Sequence, residues 1–245
     1  LSGCGFATFI LDSFGARHVT STVANQTRFS FAASGYDVLA AYLVLADLPE
    51  IDASRIGLQG HSRGGSAALT AATRCFADPV LGSGRGFAGV LAAYPWCGQQ
   101  FVDPVVGDTV IRCLIGDGDE WCSPIQVQSH CQAINLSGGQ ASLRIVGGAQ
   151  HSFDRDTPVS LIEDAAVAPG APMTYIARDG AMIHPLTGIP DAKLVDRDVM
   201  VYALKAGYGK MGARIGSKAG EARLFREDMI NFWQQLFHDQ SSGSE

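Results

Sequence analysis

The chain has 245 residues, 47% hydrophobic and 17% charged, with a formal net charge of −6. That size and balance suit one large globular domain with a sizeable core. The negative charge gives no electrostatic case for nucleic acid or an anionic membrane as partner, and no apolar run approaches the roughly 20 residues that span a bilayer.

The first four residues, Leu1-Ser2-Gly3-Cys4, look like a bacterial lipoprotein processing site, without the charged and apolar regions that precede one. "GFATFILD" (5–12) is a nearly continuous apolar run and predicts a strand buried on both faces. "GYDVLAAYLVLADL" (35–48) has helical length, with Asp37 in its first turn and Pro49 just beyond its end. "RIGLQGHS" (55–62) predicts a strand, and "RGGSAALTAATRCF" (63–76) a small-residue helix behind it. "GFAGVLAAYP" (86–95) and "TVIRCLIGD" (109–117) are the next strands. "PIQVQSHCQAIN" (124–135) predicts a helix with Pro in its first turn, and "ASLRIVGG" (141–148) a further strand. "ARLFREDMINFWQQLF" (222–237) carries apolar residues at helical spacing, ahead of a flexible polar tail over 239–245. Strands alternate with helices, and the strands are too apolar to have a wet face. That is the pattern of an α/β fold with a mostly parallel sheet covered by helices on both sides, whose active sites lie at the carboxyl ends of the strands.

Cysteine usage leaves two readings open. Cys4, Cys75, Cys97, Cys113, Cys122 and Cys131 fit no zinc-ligand spacing and include no C-x-x-C pair. Cys75 and Cys113 sit in apolar segments as core fillers. Cys97, Cys122 and Cys131 fall on loops or helix starts that can lie close together. A disulfide such as Cys97 to Cys131 would argue for an oxidising compartment, and free thiols are the alternative.

Three strands end in residues with catalytic chemistry. Gly60-His61-Ser62-Arg63-Gly64 is a G-x-S-x-G pentapeptide, which has physical meaning on a sharp strand-to-helix turn that lifts the serine to the top of a sheet. The strand over 109–117 leads into Asp117 and Asp119, and the strand over 141–148 leads to His151. A serine hydroxyl is a poor nucleophile until a base takes its proton, histidine is the base whose pKa lies near neutrality, and a carboxylate fixes the histidine tautomer. Asp119 is preferred over Asp117 because the loop beyond the strand must reach the histidine. His18, His130, His184 and His238 are weaker candidates for the base, and His61 is read as a spacer that leaves the turn in another direction.

The stretches "DSFG" (12–15), "GHSRGG" (60–65), "AAYPWC" (92–97), "GDGDEW" (116–121) and "GGAQHSFD" (147–154) resemble the dienelactone hydrolase family of α/β-hydrolases, over about residues 5–154 and the last helix. The resemblance implies an α/β-hydrolase fold. It places the acid three residues after the strand-end Gly116, at Asp119, and the base at His151. The founding members carry Cys as nucleophile. This chain has Ser62, like relatives that are general carboxylic ester hydrolases. The family pattern also has strands ahead of 5–12, with a His-Gly-rich loop that donates one oxyanion N–H. The chain therefore reads as N-terminally truncated, lacking a central strand and half of its oxyanion hole, and as printed is expected to be unstable and a poor esterase.

The stretch from about 155 to 221 is rich in Pro and Gly and longer than a usual connection; a lid, a dimer surface and a packed extension all fit it. It contains Gly207-Tyr208-Gly209-Lys210-Met211-Gly212, a G-x-G-x-x-G match preceded by a helical pattern rather than a strand, so nucleotide binding is not expected. The reading that results is a serine hydrolase of carboxylic esters working through an acyl-enzyme. Ser62 is the nucleophile, His151 the base, Asp119 the orienting acid and the Arg63 backbone N–H an oxyanion donor. No metal or organic cofactor is implied, the partner is a small-molecule ester, and the protein is read as soluble, cytoplasmic or periplasmic. A non-catalytic binding protein that keeps the pocket, and a peptidase or acyltransferase using the same three residues, are the alternatives.

Overall fold

The computed structural model describes residues 1–238, so the tail over 239–245 lies outside the described residues. In chain order the strands are β1 (Gly57–His61), β2 (Gly89–Ala93), β3 (Gln99–Phe101), β4 (Val110–Gly116), β5 (Gln140–Val146), β6 (Ser160–Val167), β7 (Thr174–Ile176), β8 (Met182–Ile183), β9 (Pro190–Asp191) and β10 (Lys210–Ile215). The helices are α1 (Phe31–Ala46), α2 (Arg63–Ala72), α3 (Arg74–Leu81), α4 (Pro124–Leu136), α5 (Asp196–Lys205) and α6 (Glu221–His238). The central sheet is all parallel, in the order β1-β2-β4-β5.

Strand alternation divides that sheet into two helix-covered faces. Gly57 of β1 pairs with Gly89 of β2, and these two missing side chains make a flat floor for α6. A Cβ at Gly57 would lie 2.5 Å from the Trp233 ring, and one at Gly89 would lie 2.4 Å from Leu236. On the same face Trp233 Nε1–H donates to Gln59 Oε1 at 2.9 Å, and Arg112 and Arg144 both donate to the Asp228 carboxylate of α6. The opposite face carries α2, with α1 packed on it where the buried Gly35 lets Thr70 approach, and α4, whose Cys131 thiol meets Cys113 of β4. Helices on both faces of a parallel sheet is the expected class.

Three local expectations are corrected, and of the two cysteine readings one holds. Residues 5–12 form no strand, and Phe9, Ile10 and Leu11 are exposed. An apolar run becomes a strand only when a neighbour accepts and donates its backbone hydrogen bonds, and among the described strands β1 pairs with β2 alone. The first helix begins at Phe31, a turn earlier than read, because Ser30 accepts the Ala33 N–H as its cap. The helix over 63–76 is two helices that part at Thr73, which has extended backbone there and a side chain that donates to Leu69 O at 3.0 Å. All six cysteines are free thiols, and Cys131 lies against Cys113 as well as near Cys97.

The stretch 155–221 folds onto the sheet ends. β6 and β10 form an antiparallel pair, and β7, β8 and β9 extend β3 into a second small sheet. Gly207–Gly212 follows α5 and enters β10, a helix-then-strand order that is the reverse of a dinucleotide fingerprint.

The turn after β1 is the tightest approach in the core. A Cβ at Gly60 would lie 2.0 Å from Gly64 O, a backbone atom that cannot yield, whereas a Cβ at Gly64 meets nothing within 4 Å. Gly60→Ala is therefore expected to destabilise the fold by about 1–3 kcal/mol. Gly64→Ala, in a helix, is expected to be neutral or to stabilise by up to about 1 kcal/mol. Urea midpoints of the two variants check this, and equal midpoints would contradict it.

Candidate active site

Ser62 sits between β1 and α2 with φ 54° and ψ −120°, a conformation few non-glycine residues adopt. Its N–H donates to Ala93 O at 2.8 Å, and its C=O accepts the Ser66 N–H at 3.0 Å, so the turn is tied to β2 on one side and to α2 on the other. Arg63 is the first residue of α2. Its amide has no acceptor within the helix and none among the described residues, and it stands at the positive end of the helix dipole.

The structure brings Ser62, His151 and Asp119 into one line. His151 Nε2 is 2.9 Å from Ser62 Oγ, and His151 Nδ1 is 2.7 Å from Asp119 Oδ2. Asp119 Oδ1 accepts the backbone N–H groups of Trp121 at 2.8 Å and Cys122 at 2.9 Å. Those two donors fix the carboxylate and leave its other oxygen for the imidazole. The Asp119 side chain is fully buried and that of His151 is 5% exposed, so the pair works away from bulk water. Trp121 stacks on the imidazole at 5.4 Å between ring centroids, and Tyr94 meets it edge-on at 4.6 Å.

Asp117 has a different task. It is exposed, and its Oδ1 accepts the Gly148 N–H, bracing the loop that carries His151. His18 is exposed, and His184 accepts the Leu186 N–H through Nδ1. His130 is buried, with both ring nitrogens unpartnered, and burial pulls its pKa down to about 4. His238 closes α6.

His61 does more than space the turn. Alternation along β1 sends its ring to the α6 face, away from Ser62, where Gln59 donates to Nε2 at 2.9 Å. That leaves the proton on Nδ1, which lies 3.0 Å from both the Tyr94 hydroxyl and Asp154 Oδ2. Tyr94 O–H donates to Asp154 Oδ1 at 2.7 Å. The resulting chain, Trp233 to Gln59 to His61 to Asp154, runs beneath Ser62 and joins the β1 end, the β2 end and the loop after His151. Sequence reading missed it, although Tyr94 and Asp154 stand inside the quoted "AAYPWC" and "HSFD" stretches.

A cavity of about 90 Å³ opens beside Ser62. Phe31, Trp96, Trp121, Val167, Pro172 and Tyr202 wall it, so the 155–221 stretch supplies one side. At its edge the Arg63 guanidinium donates to Phe29 O and Gln26 O and lies 4.0 Å over the Phe31 ring. Burial pulls the guanidinium pKa down to about 10, against the opposing charge of Asp196. The 155–221 stretch also holds the histidine loop. Gly216 N–H donates to His151 O at 2.8 Å, and Trp121 Nε1–H donates to Arg214 O at 2.9 Å.

No family model matches the chain, and no curated protein matches it. Among solved structures it is partly similar to one from Klebsiella pneumoniae assigned as a dienelactone hydrolase, at 18% identity and a TM-score of 0.36 over 50% of each chain. It is also partly similar to a thermophilic esterase of Thermogutta terrifontis, at 17% identity and TM-score 0.40 over 57% of this chain and 60% of that one. The third is dipeptidyl peptidase 4 of Porphyromonas gingivalis, at 20% identity and TM-score 0.41 over 50% and 20%. The matched regions thus span about half of the Klebsiella protein and a fifth of the peptidase.

The Asp154 network makes a pH prediction. Burial works against the Asp154 carboxylate, but the hydrogen bonds from His61 and Tyr94 outweigh it and hold its pKa below the ordinary range. A carboxylate with a depressed folded pKa stabilises the fold at neutral pH and loses that contribution as pH falls through the folded value. Asp154→Asn is expected to cost about 1–2 kcal/mol at pH 7, toward the lower figure because the group is partly exposed to solvent. The gap between variant and parent closes in acid, below roughly pH 4. Urea unfolding of both proteins across pH 3–7 checks it; a gap that persists undiminished into acid would contradict it.

Proposed function

We propose that the chain is a serine hydrolase that cleaves carboxylic esters through an acyl-enzyme. The observation that carries this reading is the Ser62–His151–Asp119 line, at 2.9 and 2.7 Å, with its carboxylate buried and doubly braced. Ser62 Oγ attacks the ester carbonyl as His151 Nε2 takes its proton. Asp119 holds the Nδ1–H, fixes the tautomer and stabilises the imidazolium. The oxygen that becomes negative lies at the start of α2, where the Arg63 N–H and the helix dipole favour it. The tetrahedral intermediate collapses, His151 passes its proton to the leaving alcohol, and a water then releases the acid by the same steps in reverse.

The cavity argues for a short acyl group. Its volume of about 90 Å³ is below the roughly 150 Å³ that takes one benzene ring, and its walls are mostly apolar. Acetyl to butanoyl groups match that space best.

Two outcomes are expected. Ser62→Ala lowers kcat for a short-chain p-nitrophenyl ester by about 10⁴-fold or more while the thermal unfolding midpoint stays put. In the parent protein, kcat/KM falls by about tenfold or more from butanoate to octanoate, since the added methylenes find no room. Residual turnover above about a hundredth in Ser62→Ala would exclude Ser62 as nucleophile. A rate that climbs with chain length would contradict the acyl pocket.

A further inference from the structure

Beside the catalytic line stands a thiol with no part in it. Cys122 is buried, and its backbone N–H braces Asp119. One ligand atom each from Asp119, Cys122 and His151 lies within 4.8 Å of the other two, and all three residues are buried. The nitrogen nearest the carboxylate is His151 Nδ1, 2.7 Å from Asp119 Oδ2.

We propose that Asp119, Cys122 and His151 form a site for a thiophilic divalent cation of the zinc class, and that its occupancy shuts the enzyme off. Carboxylate, thiolate and imidazole are the three donor types zinc takes, and a borderline-soft ion prefers sulfur and nitrogen to the all-oxygen sets that hold magnesium or calcium. Zinc bonds of about 2.0–2.3 Å place tetrahedral ligand atoms roughly 3.3–3.8 Å apart. To reach that spacing the Asp119–His151 pair, at 2.7 Å, opens by roughly an ångström while the Cys122 sulfur, within 4.8 Å of both, moves in toward the ion. Cys122 also lines the cavity beside Ser62, so the thiol is the ligand nearest that opening.

The step balances with one proton released. The Cys122 thiol gives up its proton to solvent and becomes the thiolate ligand. The proton on His151 Nδ1 moves to Nε2, so Nδ1 offers a lone pair to the metal and the imidazole stays neutral. That tautomer cannot take the Ser62 proton, because Nε2 already carries one, and Asp119 no longer accepts from the ring. Inhibition follows from the same geometry that serves catalysis. The metal site stands on its own distances, while its inhibitory effect rests on the proposed hydrolase reading.

The test uses cobalt(II) as an optical stand-in for zinc on the untagged, chelator-treated protein. The expected result is a thiolate-to-cobalt charge-transfer band that saturates at a stoichiometry near one ion per chain. Zinc displaces it and inhibits ester turnover over the same concentration range. Cys122→Ala removes the band and weakens zinc binding by about tenfold or more. If that variant does not fold, His151→Ala, which also removes a ligand, is measured in its place. Ser62→Ala keeps the band while losing turnover, so failure of the hydrolase reading and failure of the metal site are read separately. No thiolate–cobalt band, or a band of equal affinity in Cys122→Ala and His151→Ala, would overturn the proposal.

Discussion

The site depends on one strained residue. Ser62 stands at φ 54° and ψ −120°, and a non-glycine residue in such a region costs of order 1–3 kcal/mol. The surroundings over-determine it. Its amide is held by Ala93 O, its carbonyl is the first acceptor of α2, and Gly60 leaves room for the Gly64 carbonyl that a side chain would occupy. The same turn lifts Oγ toward His151 and frees the Arg63 N–H, so the backbone strain, the placing of the hydroxyl and the unpaired amide have one geometric cause.

Period-two alternation in β1 explains how so much fits around that turn. Gly60 faces α2 and permits its close start, while Gln59 and His61 face α6 and join Trp233 to Asp154. Ser62 is thus positioned from one face of the sheet and its foundation built on the other. The β4 and β5 ends bring in Asp119 and His151, and the 155–221 stretch grips the His151 loop through the Gly216 N–H and the Asp119 loop through the Arg214 carbonyl, which accepts from Trp121. That stretch also walls the cavity, so one segment shapes the opening beside Ser62 and holds the His151 loop.

The parts legible in the sequence were those in which local pattern and tertiary contact coincide. β1, β2, β4 and β5 are apolar runs bounded by turn residues, and Ser62, Asp119 and His151 each stand just beyond such a run. Residues 5–12 carry the same pattern yet form no strand, because periodicity reports burial preference and not the presence of a hydrogen-bonding neighbour. Within 155–221, β7, β8 and β9 escaped notice because they span two or three residues, too few to show a period. His61 was placed on the correct side of the turn, but its partner Tyr94 lies 33 residues away and Asp154 a further 60 along the chain, and no local signal joins them. Cys122 gave no motif at all, since its neighbours Asp119 and His151 match no zinc-ligand spacing.

The central claim is that the strained Ser62 is an activated nucleophile, and reaction with a fluorophosphonate probe tests it most directly, because the probe needs no knowledge of the substrate. Peptide mapping of the labelled protein is predicted to find a single adduct, on Ser62, formed in the folded chain and not after unfolding in urea. An unlabelled folded chain, or an adduct carried on another serine, would contradict the account.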